Sequence, residues 1–269
     1  MAKKFLALLL AAVCMVSVVA TSNPVEVSAK DKYKKGDYIT FGSYEQDGNK
    51  ENGAEPIEWE ILDVKNGKLL VISRYILDAK PYNEESGDVT WETCTLRKWL
   101  NKDFYDSAFK AGEKKKIVKT KISNPDNKYA KDNNMGYGAD GGKATKDNVF
   151  LLSVSEIRKY YKFNMWEKEY NIGFYPALMT EGTQYAIVNE LSTGTISESD
   201  YKETFESIGY NKNCIGRTYG VWWLRSPGCV GDDACFVNYE GVAGWGFSLP
   251  TTFRDLGDFG VRPALYLKK

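Results

Sequence analysis
Histidine is absent from all 269 residues. That removes Ser-His-Asp and Cys-His nucleophile systems, histidine-bound zinc, and any imidazole pH switch. Neither charge is in surplus: 36 Lys and Arg balance 36 Asp and Glu. Phosphate backbones want a basic excess, so nucleic acid is not an expected partner. No two cysteines have CxxC spacing, which leaves zinc ribbons and thioredoxin-like motifs unsupported. No internal repeat or interdomain linker is visible, so one domain is expected. What the chain has in quantity is aromatic surface, with 7 Trp, 18 Tyr and 12 Phe.

The first residues read as an address. Lys3 and Lys4 precede an uncharged apolar stretch from Phe5 to Ala20, and Val27-Ser28-Ala29 has the small-residue spacing of a signal-peptidase site. Val18-Val19-Ala20 is a second candidate cut. A membrane span needs about 20 apolar residues, so residues 5–20 are short for a retained anchor. No later stretch is long enough either. The expected protein is a signal peptide over 1–29, a short segment over 30–35, and one domain over 36–269. It is expected to be secreted, extracellular or held in the cell envelope, and monomeric. Cys14 would leave with the signal, and Cys94, Cys214, Cys229 and Cys235 remain. An even count in an oxidising compartment favours two disulfides, of three connectivities, and an anaerobic source would leave free thiols.

The pattern along the chain is α+β, with strands at both ends. Gly36–Tyr44 and Pro56–Val64 alternate or are β-branched and aromatic, and Leu69–Ser73 is an unbroken apolar run after an Asn66-Gly67 turn signal. From Thr93 the period becomes helical, with Leu96, Trp99 and Leu100 on one face, and Phe104–Phe109 forms a second short helix. Ile117–Ile122 is strand-like, Asn124–Asp147 is a long polar loop, and Val149–Val154 is strand-like again. Ser153 and Glu156 make a capping box for a helix ending at Tyr161. Tyr201, Phe205 and Ile208 share a helix face, and Tyr219–Leu224, Ala234–Tyr239 and Val261–Leu267 return to strand.

Several motifs lie along this frame in a fixed order. They are Gly36-Asp37, Phe41-Gly42-Ser43-Tyr44, Pro56-Ile57-Glu58-Trp59, Thr90-Trp91 and Leu96-Arg97-Lys98-Trp99-Leu100-Asn101. Phe150-Leu151-Leu152-Ser153, Trp222-Trp223-Leu224-Arg225-Ser226-Pro227-Gly228 and Gly260-Val261-Arg262-Pro263-Ala264-Leu265 follow. Together the chain resembles the DUF6273 family of exported bacterial domains, over about Gly36 to Leu267. That resemblance implies a distant likeness to the C-type lectin-like fold, in the branch of the formylglycine-generating enzymes. It implies a mixed or antiparallel sheet joining N- and C-terminal strands, several short helices and long loops. No activity comes with it.

Trp59, Trp99, Trp222, Trp223, Arg225 and Arg262 are expected to be structural, since Trp is mostly buried and deep Arg is usually paired. The segment Cys229–Phe259 is the candidate ligand face. Asp232, Asp233, Asn238, Tyr239, Trp245, Phe247, Phe253, Arg254 and Asp255 place aromatic rings beside amide and carboxylate groups among glycines. Such surfaces suit sugars or a surface protein, and a hairpin with its aromatics folded inward competes equally. No cofactor and no metal are expected. A lectin-type EPN or QPD triplet with a later WND does not occur, and Asn124-Pro125-Asp126 lies in the polar loop. Asp47, Asn49, Glu51 and Glu58 have EF-hand-like offsets, but the glycine is displaced to Gly53, and a solvated hairpin loop is the better reading.

Cys229 and Cys235 fall where formylglycine-generating enzymes carry a copper-binding pair, which supplies the rival reading of a copper-dependent thiol oxidase. A local disulfide between them is the favoured alternative in an exported chain. Carboxylate pairs could support glycosidase chemistry, yet no motif selects two of the 36 acids.

Overall fold
The unbroken apolar run after the Asn66-Gly67 turn becomes a central strand, buried along almost its whole length. The computed structural model describes residues 32–126, 139–162, 175–207, 209–228, 230–244 and 258–269. Strands β1 (Tyr38–Tyr44), β2 (Glu55–Lys65) and β3 (Lys68–Ser73) form an antiparallel meander. Asn66 and Gly67 both have positive φ, 52° and 70°, as a two-residue hairpin turn requires. Along β2, Ile57, Trp59 and Ile61 point inward and are fully buried. Gly42 breaks the β1 register between Thr40 and Ser43. Its φ is 71°, and a β-carbon there would meet the Phe109 ring at 2.6 Å.

Further along the chain lie β4 (Asp78–Ala79), β5 (Thr120–Ile122), β6 (Thr145–Asp147), β7 (Thr193–Thr195) and β8 (Thr218–Gly220). The remaining strands are β9 (Trp222–Pro227), β10 (Ala234–Val237), β11 (Ala243–Gly244), β12 (Gly260–Val261) and β13 (Ala264–Lys268). The last strand joins the first sheet, in the order β1-β2-β3-β13, with Ala264 opposite Ile72 and Lys268 opposite Lys68. A second, mixed sheet has the order β11-β10-β9-β12-β4, and β12 runs parallel to β9. The architecture is α+β, with the N- and C-terminal strands in one sheet. The compact unit spans Tyr33–Lys269.

Helices are short and their ends are chemically marked. Cys94 caps Thr95–Trp99, its Sγ accepting from Arg97 N at 3.4 Å, and the helical path continues through Leu100–Phe104 to Tyr105–Ala108. The expected capping box opens Val154–Tyr161: Ser153 Oγ accepts from Glu156 N at 3.2 Å, and Ser153 N donates to the Glu156 carboxylate at 2.8 Å. Two buried clusters result. The larger spans both sheets, and a smaller one gathers Ile196, Tyr201, Phe205, Cys214 and Tyr219.

Four expectations change. Val149–Val154 is extended but is not a strand; Phe150 makes a single bridge to Ala264, and Val154 already belongs to the helix. The Ile117–Ile122 strand shrinks to β5, and the polar loop closes with β6 paired to it. Asn238 leaves β10 to form a turn. Two disulfides are not formed: Cys94, Cys214 and Cys235 are buried thiols, while Cys229 lies outside the described residues. Two of these thiols are used locally, Cys94 as a helix cap and Cys235 donating to the Pro227 carbonyl at 3.2 Å.

Candidate functional site
The structural Trp and Arg residues lie where burial dictates. Trp59 and Trp222 are fully buried, Trp223 nearly so, and Trp99 is half-buried. Arg225 donates to Leu151 O at 2.7 Å and Ser123 O at 3.3 Å and pairs with Glu156. Arg262 donates to Ser73 O at 2.9 Å, faces Glu60 at 3.7 Å, and lies 5.1 Å over the Trp222 ring. Both arginines tie loops to strands.

The described part of the candidate ligand segment is largely occupied by its own turns. Asp233 is 1% exposed, and its carboxylate accepts from Val230 N at 3.3 Å. Asn238 Oδ1 accepts from Glu240 N and Val242 N, at 3.0 and 2.8 Å, and shapes the β10–β11 turn. Tyr239 packs half-buried against both hydrophobic clusters. Asp232 is exposed. Trp245, Phe247, Phe253, Arg254 and Asp255 lie outside the described residues, as does Cys229.

A different constellation gathers around β4 and the foot of that segment. Asp78 is 1% exposed, and both its oxygens are engaged. Oδ2 accepts from the Tyr44 hydroxyl at 2.6 Å and faces Lys80 Nζ at 3.6 Å. Oδ1 accepts from Ala79 N at 2.9 Å and Asn189 Nδ2 at 3.0 Å. A buried carboxylate with three hydrogen-bond donors and a facing ammonium is a fixed anchor. It orients Tyr44, Lys80 and Asn189 around itself, and burial followed by the Asp78 charge pushes the Tyr44 phenol far above its ordinary range.

Asp258 is the open member. Its backbone is pinned on both sides, N donating to Glu190 O and O accepting from Ser192 N, each at 2.9 Å. Among the described residues no donor reaches its carboxylate. Partial burial, then the charges of Glu190 and Asp78, raise its pKa against the pull of Lys80.

An aromatic ridge borders these groups. Lys80 Nζ lies 4.7 Å over Trp99, and Trp99 and Tyr44 both pack on Phe104, at 5.5 and 5.1 Å. Tyr185 meets Tyr44 edge-on at 5.8 Å. Beneath, Trp223 Nε1 donates to Lys80 O at 2.9 Å and its ring packs on Phe259 at 4.7 Å. Tyr44, Trp99 and Tyr185 stay half-buried, so ring surface remains beside Lys80, Asn189, Glu190 and Asp258. The one sequence signal for this site was an acid inside an apolar run, Ile76-Leu77-Asp78-Ala79.

The β1–β2 hairpin carries a separate group, in which carboxylate oxygens of Glu45, Asp47 and Glu55 lie within 4.8 Å of one another. They already serve the loop. Glu55 accepts from Gln46 N at 2.7 Å, and bonds from Asn52 and the Asn49 amide hold Asp47 below the usual aspartate range. Asn49 and Glu51 continue this turn, while Glu58 is remote and pairs with Arg74 at 3.0 Å.

Against known proteins, no curated protein and no solved structure matches this chain. One family model does, a domain of unknown function (DUF6273), over residues 66–269, which include β3 to β13 and the whole Asp78–Asp258 constellation. A match over most of the chain settles membership: this protein belongs to the DUF6273 family.

Proposed function
We propose that the domain is an exported binding module on a C-type lectin-like scaffold, with a carbohydrate-binding face formed by Tyr44, Lys80, Trp99, Tyr185, Asn189, Glu190 and Asp258. The observation that carries this reading is the pairing of half-exposed rings with an anchored polar cluster in which, among the described residues, no donor reaches the Asp258 carboxylate. Sugar C–H faces stack on such rings, while hydroxyls supply the donor that Asp258 lacks. The return of β13 to the first sheet accords with the scaffold.

A glycan array with the domain from residue 30 onward tests the reading. Binding of at least one glycan, lost in Trp99→Ala and Tyr185→Ala, is the expected result. Unchanged affinity in both variants moves the face elsewhere, and a silent array with a captured surface protein makes the ligand a protein. The rival thiol oxidase rests on Cys229 and Cys235. Stoichiometric copper, lost in Cys235→Ser, would replace the binding module with that enzyme.

A further inference from the structure
Asn124 is 7% exposed, and among the described residues its side-chain oxygen has no hydrogen-bond partner. The nitrogen of the same amide is committed, donating to Lys143 O at 2.8 Å and lying 3.5 Å from Thr145 Oγ1. A buried acceptor left in this state is costly, and native structures seldom keep one without a water or an ion.

Its surroundings are rich in oxygen. Three successive amides end on three different carboxylates: Gly141 N on Asp126 at 3.1 Å, Gly142 N on Asp140 at 2.8 Å, and Lys143 N on Glu92 at 3.4 Å. The main-chain oxygens of Asn124 and Pro125 converge on the same turn. They lie 2.2 and 2.5 Å from where a Gly141 β-carbon would stand, so only glycine fits. Asp126 and Asp140 are solvent-facing, and the nearby Arg97 is taken by Asp147 at 2.6 Å.

We propose that this turn is a calcium site, in which Asn124 Oδ1, a main-chain oxygen of Asn124–Pro125 and the carboxylates of Asp126 and Asp140 hold one ion, water completing its shell. Hard, all-oxygen donors on an irregular loop suit calcium, which tolerates six to eight ligands in loose geometry, whereas magnesium demands a near-ideal octahedron. No nitrogen or sulfur donor offers a transition metal an advantage here. The ion would satisfy the orphaned oxygen of Asn124. This inference is independent of the carbohydrate reading.

The test is calorimetric titration of chelator-stripped, folded protein with calcium chloride, repeated with terbium luminescence. Trp91 can sensitise terbium, since its indole bonds to Asp147 on the strand that follows this turn. We expect one site, with a dissociation constant on the order of 10⁻⁴–10⁻³ M, the range of extracellular modules. Asp126→Asn and Asp140→Asn each keep an oxygen acceptor for the glycine amide and should weaken binding about tenfold or more. Binding lost instead in Asp47→Asn would assign the ion to the hairpin acids and overturn the proposal. So would no heat and no luminescence up to about 10 mM, well above the expected range.

Discussion

The ring of Tyr239 lies directly over Gly194, so closely that a β-carbon on that residue would stand 2.4 Å from the ring. Gly194 is the middle residue of β7, on the smaller hydrophobic cluster, and Tyr239 follows β10 of the second sheet. One ring therefore packs the Ile196–Tyr219 cluster against the larger core. Gly194→Ala should destabilise by about 1–3 kcal/mol through overpacking. In a Tyr239→Ala background the same change should be nearly neutral, giving a coupling energy on the order of 1–2 kcal/mol in a double-mutant cycle. Urea unfolding of the four proteins measures it, and simple additivity would disprove the contact.

Asp147 is fully buried and carries four bonds. It accepts from Trp91 Nε1 at 3.0 Å, Thr145 Oγ1 at 2.7 Å, and Arg97 at 2.8 Å from Nε and 2.6 Å from Nη2. Removing it strands a largely covered guanidinium and an indole N–H. Asp147→Ala should therefore cost about 3–5 kcal/mol. Asp147→Asn, which keeps one acceptor, should cost less. Denaturant midpoints that match wild type for Asp147→Ala would show that the pair is dispensable.

Leu69–Ser73 announced a doubly buried strand by its unbroken apolar run, and Ser153 with Glu156 announced a helix start, because both signals are local. The return of β13 beside β3 was readable from the family motif rather than from periodicity. The face proposed for carbohydrate was not readable. Asp78, Asn189 and Asp258 are separated by long stretches of chain and meet only through sheet order, so no spacing rule selects them. Asn238 and Asp233 are ligand candidates by residue type, and the structure gives both to turns, because turn residues and ligand residues share the same chemistry. The disulfide expectation came from counting cysteines, whereas Cys94 is spent as a helix cap.

Asp258 links stability to pH in a direction opposite to most carboxylates. Burial and its acidic neighbours raise its folded pKa above the ordinary 3.8. Between the unfolded and folded values the native state holds the extra proton, so stability falls as pH rises through that window and stays lower above it. Asp258→Asn should remove this loss and leave the protein more stable at neutral pH than wild type. Unfolding free energies measured from pH 3 to pH 8 for both proteins check the sign. A variant that gains nothing at neutral pH would mean the carboxylate is well solvated.

The buried thiols make the last prediction, on chemistry rather than stability. Burial pushes Cys94 up to about 12, and burial likewise raises Cys214. The thiolate is the reactive form, so at pH 8 almost none of Cys94 is nucleophilic, and access is closed as well. In the native protein a maleimide or disulfide reagent should leave Cys94 unmodified until global unfolding exposes it. After unfolding without reductant, Cys94, Cys214 and Cys235 should all take the label, since none is disulfide-bonded. Peptide mapping by mass spectrometry separates the outcomes. Rapid native labelling of Cys94 would contradict its burial, and its failure to label after unfolding would reveal a bridge. Cys94→Ser should also fold, because a hydroxyl caps the Thr95–Trp99 helix at least as well as a thiol.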